Sequence, residues 1–188
     1  MQTEETPHDA FCRLYAETWP DVLRYLGRRC GPDAAEDLAN EVYLITWRRW
    51  NEVPGRRELP WLYGVARNLL LERSRAQGRD GIAVSAQATE LPAYRDIAEG
   101  VVSAHVVRQV LAELKPNDRE ILILWAWEGL APPDLGGVLG CRAATAAVRL
   151  HRARRRFSAL YFVHAHDSNP DVPHRNGLRK AVSTDETV

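Results

Sequence analysis

Few cysteines, no metal-ligand spacing and no long apolar run set the first limits on this 188-residue chain. Cys12, Cys30 and Cys141 are widely spaced, odd in number and form no CxxC pair. Neither a disulfide framework nor a zinc site is therefore supported, and free thiols in a reducing compartment are expected. No apolar run approaches the ~20 residues needed to span a bilayer. The acidic, polar start MQTEETPHDAF is unlike a signal peptide, so a cytoplasmic location is expected. The six histidines form no HExxH pair, and neither a GxSxG elbow nor a Walker loop occurs. An enzyme is thereby disfavoured, and no catalytic residue, cofactor or metal is predicted. Sustained strand alternation and internal repeats are also missing, which leaves an all-α chain.

Net charge is missing too: 25 basic residues balance 25 acidic ones. The balance hides an uneven spread. Acids collect around Asp33 to Glu41, and bases collect at 48–57 and 142–156. Such asymmetry points to two kinds of partner, one basic and one acidic. The basic end is the more informative. PPDLGGVLGCRAATAAVRLHRARRRF, at 132–157, reads as two short helices broken at Leu139-Gly140-Cys141. Pro132 suits a first helical turn, and Gly140 suits the positive φ that ends a helix. Leu135, Val138 and Leu139 supply an apolar stripe on the first helix; Val148, Leu150 and Phe157 supply a buried side on the second. From Arg142 to Arg156 the second helix carries six arginines and no acid. A helix-turn-helix with so cationic a second helix suits a polyanionic groove; the plainer alternative is a solvated arginine face.

Taken in order, residues 1–9 read as a frayed tail, and helical period begins at Ala10, with breaks at Pro20 and Gly31-Pro32. After Asp33, Leu38, Val42 and Ile45 give one amphipathic helix its apolar stripe, while Asp37 and Glu41, one turn apart, form an acidic ridge. Asn51 to Leu59 is a charged Pro-Gly loop. Pro60 then opens the helix WLYGVARNLLLERSRAQ, with Trp61, Leu62, Val65 and Leu69 inward. Residues 78–99 lose all periodicity and read as a flexible linker between two domains. Period returns at Val101–Leu114. Asn117 and Glu120 have capping-box spacing ahead of the apolar helix REILILWAWEG, the expected core of the second domain. The tail after 160 is expected to be disordered.

The motifs in this order resemble the RNA polymerase sigma factors of the sigma-70 family, and more narrowly the extracytoplasmic-function (ECF) group. AAEDLANEVYLITW at 34–47 is similar to the family's DAEDLVQETFLRAW pattern, and PWLYGVARNLL to its AWLxxIARNLxxD pattern. HRARRRF at 151–157 is similar to the end of its RLHRARRRL pattern. The resemblance implies two small helical domains: region 2 over 10–77, and region 4 with the helix-turn-helix over 100–160. Linker 78–99 joins them, and 161–188 is the tail.

It also implies a division of labour. In the family the acidic helix docks on the β′ clamp of core RNA polymerase, which here assigns Asp37, Asn40 and Glu41; region 4 meets the β flap. The minus-10 promoter element falls to Asn51, Arg56, Arg57, Trp61, Arg67 and Asn68, residue types suited to capturing unstacked bases and phosphates. At its spacing Trp61 reads more readily as core. Minus-35 duplex reading falls to Arg142, Thr145 and Arg149 for bases and to Arg152, Arg154 and Arg155 for phosphates. An anti-sigma protein is the further partner class implied, with the linker allowing the rearrangement it would need.

Departures from the family pattern are local. SxGTVKSRLH becomes RAATAAVRLH, with Ala147 at the lysine position and Arg142 at the turn serine. SYEEIAEIL becomes APPDLGGVL, in which Gly136 and Gly137 each cost up to ~1 kcal/mol relative to alanine. The rival reading is a helix-turn-helix transcriptional regulator acting without core polymerase. A response-regulator form of it needs a parallel α/β receiver, and the first half shows no such strands. A protein-only interaction module has no use for the arginines of 142–156.

Overall fold

In the computed structural model, residues 6–78 and 104–168 are described; the expected linker and the end of the tail lie outside them. All regular elements among the described residues are helical. The first half comprises α1 (Pro7–Cys30), α2 (Pro32–Arg48), a 3-10 turn at Trp50–Glu52 and α3 (Glu58–Ala76). The second comprises α4 (Ala104–Glu113), α5 (Pro116–Ala126), α6 (Pro132–Leu139) and α7 (Ala143–Ser168).

Helix α1 starts at Pro7 rather than at Ala10. The Thr6 hydroxyl accepts from the Asp9 amide at 3.2 Å, and the Asp9 carboxylate accepts from the Thr6 amide at 3.3 Å. This reciprocal capping box satisfies two otherwise orphaned donors, and Pro7 needs none. Pro20 does not break the helix. An interior proline costs ~3 kcal/mol, but Val22, Tyr25 and Leu26 beyond it are fully buried, each contributing ~1.5–3 kcal/mol. Burial wins. The chain does turn at Gly31, whose φ of 82° leads straight into Pro32 of α2.

Val22, Tyr25 and Leu26 of α1, Leu38 and Val42 of α2, and Leu62, Val65 and Leu70 of α3 form the first core. In the second half Ile121, Leu122, Ile123 and Leu124 are all buried, as expected of a helix apolar on every side. The capping box expected at Asn117 is not formed. Lys115 is the N-cap residue, with no side-chain cap bond, and Glu120 points inward, 6% exposed. Helix α4 is closed from outside: the Arg119 guanidinium donates to the Leu111, Ala112 and Leu114 carbonyls at 2.5, 2.7 and 3.1 Å.

Helix α6 ends as the sequence reading requires. Gly140 takes φ 65°, its amide reaches the Gly137 carbonyl at 3.4 Å, and the Cys141 amide reaches that of Gly136 at 2.8 Å. That pair of bonds is a Schellman turn. Gly136 is more than a weak helix former. A Cβ there would sit 2.7 Å from the Cys141 carbonyl oxygen, whereas Gly137 has open space. Helix α7 continues through Ser168, so residues 161–168, expected in the disordered tail, are helical; His164 contacts Glu113 of α4 at 2.6 Å.

The halves pack together. Helix α3 lies on α6 so closely that a Cβ on Gly64 would come 3.9 Å from the Val138 backbone.

Candidate functional site

Three surfaces gather the charged residues singled out by the sequence. The first is α2. Its buried positions are Ala35, Leu38, Ala39, Val42, Tyr43 and Thr46, which leaves Asp37, Asn40 and Glu41 together on the solvent side. Leu44 and Trp47, 48% and 45% exposed, extend that ridge with apolar surface. Trp47 is braced by Phe11 of α1, at a ring separation of 5.0 Å. The aromatic layer continues through Tyr15, Trp19 and Tyr43. The Thr18 hydroxyl donates to the Leu14 carbonyl at 2.6 Å, so the Tyr43 hydroxyl donates to Thr18 at 2.8 Å. Burial raises the Tyr43 pKa to about 12.

The second surface is a cleft of about 260 Å³ between the halves. Arg49, Arg57, Trp61 and Asn68 line one wall, and Pro133, Asp134 and Gly137 of α6 line the other. Trp61 is neither core nor free: it is half-buried, with the Arg49 guanidinium 5.8 Å from its ring centre. Arg57 faces Asp134 at 3.5 Å. Asn51 and Arg56 are exposed.

Arg67 lies apart from that cleft. It is 17% exposed and its Nε stands 4.0 Å from Glu120. It belongs to a buried charge cluster between the halves that sequence reasoning missed. Arg28 and Arg29, at the end of α1, donate to Glu128 at 3.0 and 3.2 Å, and Arg29 also stands 4.0 Å from Glu120. The Arg29 side chain is 1% exposed and those of Glu120 and Glu128 are 8% and 4%. Its guanidinium lies 3.6 Å over the Tyr25 ring, which stacks on Tyr63 at 4.7 Å. Burial opposes the charge on Arg29, but Tyr25, Glu120 and Glu128 outweigh it and hold the pKa above its ordinary value. Burial likewise pushes the Tyr25 phenol upward. One signal was in the sequence: Glu120 is an acid at the head of an apolar run.

The third surface is α7. Ala146, Leu150, Ala153 and Phe157 are buried, and Arg142, Thr145, Arg149, Arg152, Arg154 and Arg155 are all exposed. Arg154 sits on the flank, its guanidinium 4.7 Å over Trp125. Arg156 is tied to Asp118 at 2.6 Å. Val148, expected on the buried side, is 51% exposed. It falls four residues after Ala144 and four before Arg152, opposite the buried stripe; Ala146 takes the inward place instead.

Among the described residues no histidine, cysteine or acid cluster is arranged to hold a metal, and no helix is long and apolar enough to cross a membrane. Fold and surfaces together define a two-part all-helical protein of the helix-turn-helix class, with a cationic face on α7 and a separate acidic ridge on α2. The family description "Sigma-70 region 2" matches residues 14–80, and "Sigma-70, region 4" matches 104–157. The sigma factor CarQ of Myxococcus xanthus is 31% identical over 81% of this chain and 89% of its own length. The sigma-E factor of Streptomyces coelicolor is 30% identical over 76% and 81%. A solved structure of the sigma factor RpoE from Bartonella quintana, in complex with the anti-sigma factor NepR, is similar in fold. Its TM-score is 0.56 at 23% identity, over 82% of this chain and 98% of that one. The chain belongs to the RNA polymerase sigma factors of the sigma-70 family, in the ECF subgroup. As such, it directs RNA polymerase to promoter DNA.

Proposed function

We propose that the three surfaces divide the work of promoter recognition and that the protein carries out no chemistry of its own, acting in the cytoplasm. The α2 ridge of Asp37, Asn40 and Glu41 docks on the basic β′ clamp of core polymerase, where opposite charge steers and orients the encounter. Region 4 meets the β flap. Asn51, Arg56, Arg57, Trp61 and Asn68 engage the minus-10 element and help melt it, joined by Arg67 once Glu120 releases it. Arg142, Thr145 and Arg149 meet minus-35 base edges, while Arg152, Arg154 and Arg155 hold phosphates.

The observation that carries this reading is the segregation of charge: an acid-free cationic face on a Schellman-turned helix-turn-helix, and an acidic ridge on a different helix. In this arrangement Asp134 and Glu120 face Arg57 and Arg67, so a minus-10 strand competes with Asp134 for the exposed Arg57 and reaches the largely covered Arg67 only after the halves part. An anti-sigma protein that holds the halves closed fits the same arrangement.

Run-off transcription with purified bacterial core polymerase, on a pool of genomic promoters, tests the proposal. Specific transcripts should appear with the protein and fall at least tenfold when Asp37→Arg and Glu41→Arg are combined. Failure to bind core polymerase would return the chain to the class of free-standing regulators.

A further inference from the structure

Val148 is the large apolar residue exposed in the first turns of α7; Phe162 and Val163, exposed as well, lie near its far end. Val148 is 51% exposed and stands opposite the stripe of Ala146, Leu150, Ala153 and Phe157 that α7 buries. A β-branched residue is less favourable than alanine in a helix, and alanine occupies four of the five positions before this one. Its surroundings are cationic: Arg149 follows it, and Arg152 and Arg155 lie one and two turns on. Acid is absent from 142–156, so the field here draws phosphates rather than a basic protein. Ala144 and Thr145, one turn back, are also exposed. Ala144, the Thr145 methyl and Val148 thus make a small apolar island near the start of a helix whose rim is arginine.

We propose that this island reads the 5-methyl group of a thymine in the major groove, with Val148 as the specificity-determining contact. The inference rests on α7 being the duplex-reading helix. The thymine methyl is the one apolar feature of the base-pair edges in that groove, and small apolar side chains are its usual partners. Early positions of a recognition helix lie nearest the bases, with later arginines reaching the backbone. Val148 sits one turn into α7, between the proposed base readers Thr145 and Arg149. The thymine it meets therefore adjoins the base pair read by Arg149.

The experiment uses the full chain bound to core polymerase and a pool of duplexes randomised across the minus-35 region. The selected sequence should contain one thymine whose replacement by deoxyuridine weakens wild-type binding about fourfold, the worth of one buried methyl group. In Val148→Ala and Val148→Ser that penalty should shrink to under 1.5-fold. Selection with Val148→Ser should lose the thymine preference at that position alone. A selected sequence without thymine, or a deoxyuridine penalty equal in wild type and variants, overturns the proposal. If no sequence is selected, and Arg149→Ala with Arg152→Ala leaves binding unchanged, the reading of α7 itself has failed and this inference with it. Circular dichroism of both variants confirms that α7 is intact.

Discussion

Removing one charge from the buried cluster is the sharpest perturbation the structure offers. Glu128→Gln keeps the size of the side chain but takes away the carboxylate that receives Arg28 at 3.0 Å and Arg29 at 3.2 Å. Arg29 is then left, 1% exposed, with only Glu120 at 4.0 Å to balance it. Breaking a buried pair from one side costs ~3–5 kcal/mol, because the remaining charge stays dehydrated. This cluster has an escape that a core pair lacks. Its acids lie in the second half and its arginines in the first, so separating the halves rehydrates Arg29. The loss is therefore capped at the free energy holding the halves together. Urea unfolding should show a lower midpoint or a new early transition. Fluorine NMR of 5-fluorotryptophan-labelled protein should show the Trp127 signal shifting, since that ring lies 5.8 Å from the Arg28 guanidinium. Combining Glu128→Gln with Arg29→Met should cost less than the sum of the two, by at least ~1 kcal/mol. A single change that moves stability by under ~0.5 kcal/mol and leaves Trp127 untouched would refute the reasoning.

Three other outcomes follow from single contacts. Gly136→Ala should destabilise by ~1–3 kcal/mol through overpacking against the Cys141 carbonyl; Gly137→Ala, in open space, should stabilise α6 by up to ~1 kcal/mol. Thermal melts of both decide, and equal effects would be inconsistent with the turn described. Tyr43 keeps its proton in the folded state up to about pH 12, whereas the unfolded phenol loses it near ~10. Its contribution, on the order of 2 kcal/mol, is present below pH ~10 and lost as pH rises from there toward 12. Urea midpoints should therefore fall less steeply above pH 10 in Tyr43→Phe than in wild type. Asp134→Asn should raise affinity for single-stranded minus-10 DNA by up to ~5-fold, the modest value of a partly exposed ion pair. Unchanged affinity in a titration at 50 mM salt would show that Asp134 does not compete for Arg57.

Much of this architecture was legible in the chain itself, because it rests on short-range chemistry. The helix-turn-helix is written in Pro132, Gly140 and the apolar spacing of Leu135 and Val138. The outward ridge of Asp37, Asn40 and Glu41 follows from the period of Leu38 and Val42. Where the reading went astray, tertiary contacts overruled local propensity. Pro20 stays helical because burial on its far side outweighs its cost. Glu120 has capping-box spacing but is drawn inward by Arg29 and Arg67, residues some 90 and 50 positions away. Val148 has the type of a buried residue, yet the helical phase of Leu150, Ala153 and Phe157 puts Ala146 on the buried side and Val148 opposite it. The Thr6-Pro7-His8-Asp9 box is local chemistry, a cap residue three positions ahead of its acid, and it carries α1 into the stretch expected to be tail. Contacts between the halves left almost no local trace.

Those contacts tie distant surfaces together through energy rather than geometry. A ligand that requires the halves apart must overcome the closed charge cluster of Arg28, Arg29, Glu120 and Glu128. A second such ligand finds the cluster already open and meets no such opposition. Polymerase on α2 and a minus-10 strand on α3, if both need the open form, then strengthen each other by one common factor in either order of arrival. An inhibitor that prefers the closed form weakens both by its own differential affinity. Where both need the open form, promoter choice and polymerase capture share one equilibrium, set in part by charges packed between the halves.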